Sequence, residues 1–484
     1  MNKDRFYITT AIPYVNAAPH IGHALEFVQT DVVARYHRLL EDETFFLSGT
    51  DENALKNVQA AEKAGVPVKQ LVDQNSQIFY NLKNALNISF DDFIRTTEER
   101  HIKGAQKLWK ACAKDIYKKQ YRGLYCVGCE TFYTEKELVE GKCPEHGTTP
   151  ETVEEENYFF KLSNYQGRLK KLIESDELKI IPETRENEVL SFINQGLEDF
   201  SISRSKERAK GWGVPVPGDP SQVIYVWFDA LSNYINGLGY AEDGEPFKKY
   251  WLENSNRIHV IGKGITRFHA VYWPAMLLSA GLPVPSEIFV HGYLTVEGQK
   301  ISKSLGNTID PFALTEKYGT DPLRYYLLAK FSPYEDGDFS EAKLKETYNA
   351  DLANGLGNLV SRVAKLCENI TISDNPEISK IITELPTTPK TTPTLYSKAV
   401  ENYRFDEALK ILWGEIKVID HVIASQQPWK LKGQELLDVM QPAVDAIRHI
   451  NTKLEPFLPE TAEKIKKRFT GKIAAAEPLF PRLS

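Results

Sequence analysis

The chain has 484 residues, room for two to four domains with full-sized cores. Hydrophobic residues make up 42%, charged residues 26% and aromatics 11%, which excludes a disordered or collagen-like chain. The net charge of −7 excludes a surface coated in basic residues for non-specific nucleic-acid binding, but not a local RNA site. From residue 346 onward Lys and Arg balance Asp and Glu, so the acidity lies in the front of the chain. The basic run from Lys464 to Lys472 suits a polyanion or, equally, a solvated helix face.

The opening residues show no long apolar core and no small-residue cleavage site, so no secretory leader is expected. No apolar run approaches the length of a membrane span. Five cysteines in a chain of this size suit a reducing compartment, and a cytoplasmic protein is expected.

The pattern predicts a strand over 6–10, a Pro-containing loop, a helix over 23–40 and a buried strand over 44–47. Helices are expected over 53–64 and 68–86. This alternation predicts an α/β protein with a doubly wound, Rossmann-like parallel sheet. Residues 117–218 break the rhythm: they are turn-rich, bear cysteines, and turn strand-like at 157–161, so they read as an insertion between two halves of the sheet. Strands are expected to resume at 224–228, 257–261 and 287–291. From about residue 342 the pattern is helical, clearest at 352–366 and 408–423, with a Pro/Thr-rich linker at 385–394.

Three constellations carry chemistry. In Pro19-His20-Ile21-Gly22-His23, two imidazoles three residues apart share one face at the opening of a helix. Unpaired backbone N–H groups and the positive end of the helix dipole there favour a bound phosphate, and Gly22 lets a ligand approach the backbone. On those residues alone, a surface or metal-binding pair is an equal reading. In Gly298-Gln299-Lys300-Ile301-Ser302-Lys303-Ser304, two lysines among serines form a basic loop able to grip a polyphosphate, although such a loop alone is more commonly just solvated. Third, Cys126 and Cys129 are followed by Cys143 and His146. Two chelating hooks at this spacing supply a closed tetrahedral Zn²⁺ site, structural because no open position remains; a disulfide is the lesser alternative. Cys112 and Cys367 read as buried small hydrophobes.

Together, His20-Ile21-Gly22-His23 after the first strand and Lys300-Ile301-Ser302-Lys303-Ser304 after the last resemble the two signatures of class I aminoacyl-tRNA synthetases. With the zinc knuckle inserted between the sheet halves, the resemblance narrows to the methionyl-tRNA synthetase family and extends over nearly the whole chain. It implies a catalytic domain over 1–116 and 221–290, a connective insertion over 117–220 with the knuckle at 126–146, a lysine-loop and stem-contact segment over 291–345, and an all-α anticodon-binding domain over 346–484.

The resemblance also implies roles, residue by residue. The segments Thr10 to Tyr14, Tyr225 to Tyr234 and Gly262 to His269 resemble the family's methionine-pocket motifs. They place Ile12, Tyr14, Trp227, Ala230, Tyr234, Ile265 and His269 against the L-methionine side chain, with Asp51 on its ammonium group. Soft thioethers suit aromatic walls. His20, Gly22, His23, His291, Lys300 and Lys303 fall to ATP, with His20, His23, Lys300 and Lys303 catalytic and Mg²⁺ accompanying the nucleotide. Asn358, Arg362 and Trp429 resemble the anticodon-reading set for tRNA(Met), an exposed Trp offering a stacking face; a Pro-Trp packed on its neighbour is the plainer alternative. The chain departs from the family at Gly264, where Asp is usual, and at Asn53-Ala54, where His-Gly is common. A monomer is expected, and a catalytically inactive tRNA-binding paralogue is the rival function.

Overall fold

The computed structural model describes residues 3–128, 131–133, 135–144, 147–301, 306–368, 370, 394–473 and 476–483. Cys129, His146, Lys303 and most of the expected 385–394 linker lie outside them. The chain divides into two compact units. The first comprises residues 1–19, 43–81 and 90–291; the second comprises 20–42, 82–89 and 292–484.

The first unit is built on six parallel strands. These are β1 (Arg5–Thr10), β2 (Glu43–Thr50), β3 (Asp92–Arg95), β7 (Lys179–Ile181), β12 (Asn256–Gly262) and β13 (Glu287–His291). Their order is β3-β2-β1-β12-β13-β7, so strand order reverses between β1 and β12. Nearly every residue of β1, β12 and β13 is buried, which is why these strands read as continuous apolar runs rather than alternating ones. In such a sheet ligands bind beyond the carboxyl ends of the strands, at the switch point. Helices α2 (Leu55–Ala64), α3 (Val68–Ala85), α4 (Glu99–Ala111), α5 (Gln166–Glu174) and α6 (Glu183–Asn194) belong wholly or mainly to this unit, as do α7 (Val226–Leu231), α8 (Asn233–Asn236), α9 (Glu245–Phe247) and α10 (Trp273–Ala280).

Two findings differ from the sequence reading. The segment read as an insertion supplies a strand to the main sheet, since β7 pairs with β13. Its remaining strands form an antiparallel sheet of β4 (Ile116–Cys126), β5 (Thr131–Tyr133), β6 (Glu151–Phe160) and β8 (Phe200–Ser201), and a second of β9 (Ser203–Ser205), β10 (Pro215–Val216) and β11 (Asp219–Ile224). The strand expected at 224–228 is not one. β11 ends at Ile224 in the antiparallel sheet, and residues 226–231 form α7, buried throughout. A short apolar run buried on all sides looks the same in either conformation.

The second unit holds α1 (Ile21–Leu39) and a small sheet of β14 (Leu294–Val296), β15 (Gln299–Lys300) and β16 (Gly337–Phe339). The rest is helical: α11 (Pro311–Tyr318), α12 (Thr320–Ala329), α13 (Glu341–Thr347), α14 (Asn358–Leu366), α15 (Leu395–Glu401), α16 (Phe405–Gln426), α17 (Gly433–Leu454) and α18 (Pro459–Arg468). A wide π-type stretch, Tyr348–Gly357, joins α13 to α14. Among the described residues no helix is long and apolar enough to cross a membrane.

The sheet is tightest at Gly49 of β2. A Cβ there would stand 2.1 Å from the Ile94 carbonyl oxygen, backbone that cannot yield, and 3.1 Å from the Ile12 side chain at Cγ2. Gly49→Ala is therefore expected to destabilise the fold by about 1–3 kcal/mol, read as a lower denaturation midpoint at unchanged m-value.

Candidate active site

His20 is the N-cap of α1 and is extended (φ −126°, ψ 176°). Its Nδ1 accepts the Gly22 N–H at 3.1 Å, and His23 Nδ1 accepts the His20 N–H at 3.1 Å, a reciprocal capping box made by imidazoles. The rings stack 3.9 Å apart at 28°. Gly22 suits this packing, because a Cβ would stand 3.0 Å from His20 Cε1 and press the ring aside by a few tenths of an ångström.

This geometry corrects one expectation. The first backbone N–H groups of α1 are not unpaired: Ile21 N–H donates to the Ile309 carbonyl at 3.0 Å, Gly22 N–H to His20 Nδ1 and His23 N–H to the His20 carbonyl. Because each Nδ1 accepts, each proton sits on Nε2, a tautomer assigned from the hydrogen-bond network. Burial pushes the His20 imidazole down to about 4 and holds His23 well below its ordinary value, with the neighbouring His20 adding to the effect. The pair is thus neutral and presents Nε2–H donors.

The lysine segment begins on a hairpin. β14 and β15 are joined through Glu297 (φ 52°) and Gly298 (φ 73°), the two left-handed residues of a tight hairpin turn. Asp338 pins that turn, accepting the Gly298 N–H at 2.8 Å and the Thr295 hydroxyl at 2.7 Å. Lys300 is the last residue of β15, and Lys303 lies beyond the described residues. Six residues after Lys303, the Ile309 carbonyl accepts the Ile21 N–H, which ties this part of the chain to the start of α1. His291 ends β13 and is buried.

The methionine-pocket candidates all fall in the first unit, past the carboxyl ends of β1, β2 and β12 or on α7, α8 and the turn before α10. Tyr14 bridges Asp51, whose N–H donates to the Pro13 carbonyl at 2.9 Å. Tyr14 meets Trp227 edge-on at 6.3 Å, and Trp227 meets His269 edge-on at 6.4 Å. Ile12 and Ile265 are half-buried; Asp51, Trp227, Ala230, Tyr234 and His269 are buried. His269 Nδ1 lies 2.9 Å from the Ile265 carbonyl and Nε2 lies 2.7 Å from the Tyr234 hydroxyl. A carbonyl only accepts, so Nδ1 carries the proton and Tyr234 donates to Nε2. Burial pushes His269 down to about 4, in keeping with a neutral ring.

Of the zinc candidates, Cys126 closes β4 and Cys143 sits on a turn where its carbonyl accepts the Gly147 N–H at 2.8 Å. Both thiols are 1% exposed and neither is in a disulfide. In the helical region Asn358 is exposed, and one turn on, Arg362 pairs with Asp420 of α16 at 2.6 Å. Trp429 follows a left-handed Gln427 on the turn Pro428–Lys430, with 55% of its surface exposed and Pro428 buried beneath the turn.

A sequence profile for tRNA synthetases class I (M) matches residues 6–149 and 145–364. The methionine–tRNA ligase of Brucella suis is 41% identical over 516 aligned positions, covering 100% of this chain and 98% of that protein. That of Rhizobium meliloti is 43% identical, covering 95% and 90%. The chain belongs to the class I methionyl-tRNA synthetases. Among solved structures, Mycobacterium tuberculosis methionyl-tRNA synthetase in complex with methionyl-adenylate matches with a TM-score of 0.90 at 37% identity, over 99% of this chain and 100% of that one. The apo form of the same protein matches at 0.82 and 35%, over 100% and 99%.

Within this family the departure at Asn53 has a structural account. Its amide donates to Asp229 at 2.7 Å and to the Thr96 carbonyl at 3.1 Å, while its N–H reaches Asp51 at 3.2 Å. It thereby joins the ammonium candidate to α7, the helix of Trp227 and Ala230. Asp229 also holds His101 at 2.7 Å, both fully buried. Sequence reasoning missed that pair because its members are 128 residues apart. It also missed Phe268, stacked flat on Trp227 at 3.8 Å, and the buried Arg204, whose guanidinium lies 4.2 Å from the Tyr225 ring centre. Phe268 was findable as the neighbour of His269; Arg204 carries no local signal.

The depressed imidazoles fix the pH behaviour. The unfolded chain protonates histidine near 6.5 while folded His20 resists until about 4, so stability falls as pH drops through that interval and is fully present above it. We expect kcat/KM for ATP to show no limb at the ordinary imidazole value, measured alongside denaturation at each pH.

Proposed function

We propose that this synthetase activates L-methionine with ATP and transfers it to tRNA(Met). Relatives along its whole length are methionine–tRNA ligases. The observation that carries the assignment is the lock of Ile265 carbonyl, His269 and Tyr234 beside Trp227 and Tyr14. Its aromatic edges suit a soft, polarizable thioether, while the Tyr234 proton is spent on His269 and holds that ring in place.

In the first step the methionine carboxylate attacks the α-phosphorus, a carboxylate–phosphorus bond forms, and pyrophosphate leaves. The carboxylate is already ionised, so no side chain is needed as base. Catalysis is positioning and stabilisation of charge developing on phosphate oxygens. Asp51 holds the ammonium group. His20 and His23 donate Nε2–H to nucleotide phosphate oxygens, and neutral donors aimed at developing charge favour the transition state without binding the ground state as tightly as a fixed cation. Lys300 and Lys303 carry the positive charge for the departing pyrophosphate, Gly22 gives His20 its place, and His291 borders the adenosine. Mg²⁺ accompanies ATP as part of the substrate. In the second step a terminal ribose hydroxyl of tRNA attacks the methionyl carbonyl and AMP leaves.

The described half of the zinc set fits a metal: two deeply buried cysteines, Cys126 at the end of β4 and Cys143, lie in a segment too small for its own core. Cys126, Cys129, Cys143 and His146 would hold one Zn²⁺, which supplies a structural cross-link and no reaction chemistry. Residues 1–116 and 221–290 then form the catalytic part, 117–220 the connective part, 291–345 the loop segment, and 346–484 the anticodon reader through Asn358, Arg362 and Trp429. The buried thiols of Cys112, pushed up to about 12, and Cys367, pushed up to about 11, are inert ones suited to the reducing cytoplasm, where we place the protein.

Two results are expected. ATP–pyrophosphate exchange should depend on methionine among the twenty amino acids and fall by about a hundredfold or more in Lys303→Ala, as for loss of a transition-state charge contact. Trp429→Ala should leave that exchange unchanged and weaken tRNA aminoacylation by about 1–3 kcal/mol in KM, one stacked base.

A further inference from the structure

One turn of α12 grips a corner of the helical region. α17 ends at Leu454, α18 begins at Pro459, and the chain turns between them through Pro456 and Phe457. Arg324, with no exposed surface, donates Nε to the Phe457 carbonyl at 2.8 Å and Nη2 to the Pro456 carbonyl at 2.9 Å. Asp321, one turn earlier and also buried, accepts the Thr461 N–H at 2.6 Å. The same turn therefore satisfies carbonyls after α17 and an orphan N–H in the first turn of α18.

Arg324 reaches the other way as well. Its Nη1 pairs with Asp31 at 2.8 Å and donates to the Leu86 carbonyl at 3.0 Å. Asp31 stands on α1, fully buried, and accepts the Ser89 N–H and hydroxyl, each at 2.6 Å, and Arg35 Nε at 2.7 Å. Only a planar guanidinium can span these acceptors at once; an ammonium cannot. α1 is rigid over the 11 residues from Asp31 back to His20, about 16 Å at 1.5 Å per residue, so whatever places Asp31 places the imidazoles.

We infer that Asp321 and Arg324 are positioning residues for adenylate formation: they fix the α17–α18 corner to α1 and so set where His20 and His23 stand. This rests on the reading of those histidines as phosphate ligands.

The test uses the full chain and exchange measured per active site, with sites counted by the stoichiometric burst of adenylate so that misfolded molecules drop out. Arg324→Lys keeps the charge opposite Asp31 but cannot span the two carbonyls. Asp321→Ala removes the acceptor for Thr461, and also removes Oδ1, which is buried without a hydrogen-bond partner, so the variant is expected to fold. Asp321→Asn restores an acceptor. We expect Arg324→Lys and Asp321→Ala to lower kcat per site by about tenfold to a hundredfold, the scale of a small misplacement of catalytic groups. KM for methionine should hold within about twofold, with Asp321→Asn recovering most of kcat. Unchanged kcat per site, with loss only in the number of sites or in melting temperature, overturns the inference. His23→Asn separates the two readings. If it loses exchange while the clamp variants do not, the inference alone fails; if it too keeps full kcat, the phosphate role fails first.

Discussion

The first turn of α1 must satisfy its own backbone donors, and it does so with two imidazoles. Giving Nδ1 of His20 to Gly22 and Nδ1 of His23 to His20 settles three things together. It fixes both tautomers, it holds the rings in a stack that burial keeps uncharged, and it leaves little room for a side chain at residue 22. The histidine pair is thus the helix cap and the donor array at once. Dipole and donors are not separate resources here: the N–H groups that a bare helix would offer an anion are relayed through imidazole to Nε2. Positive charge is left to the lysines of the following loop, whose exit is fastened to the same turn through Ile309.

The aromatic cluster of the first unit obeys the same rule. A backbone carbonyl, that of Ile265, decides the proton on His269 and thereby commits the Tyr234 hydroxyl as donor toward the ring. Asn53 performs a similar service, tying Asp51 to the helix of Trp227 and Ala230. In both places one buried side chain is oriented by another. Such support costs buried polar groups, and each is satisfied through precise geometry rather than by solvent.

How much of this was legible follows from how local the physics is. The strands at 6–10, 257–261 and 287–291 announce themselves because they are buried on both faces and bounded by turn residues. The run at 224–228 does not, since α7 is equally apolar and too short for its period to show. β7 was hidden for the opposite reason: three residues inside an irregular segment join the sheet only through their pairing with β13. The histidine signature was legible as two rings on one face at a helix start, but not its wiring, because tautomer and charge depend on which backbone group each ring meets. The Asp229–His101 pair and the Arg324 clamp join residues more than a hundred positions apart, and no local pattern encodes them.

The account turns on the protonation of two rings, and nitrogen-15 NMR of histidine-labelled protein reads it directly. With His20→Asn and His23→Asn used to assign the signals, both rings should appear as the neutral Nε2–H tautomer at pH 7 and remain so at pH 5.5. Either ring appearing as the Nδ1–H tautomer, or titrating at its ordinary value near 6.5, would contradict the capping arrangement and the donor role built on it.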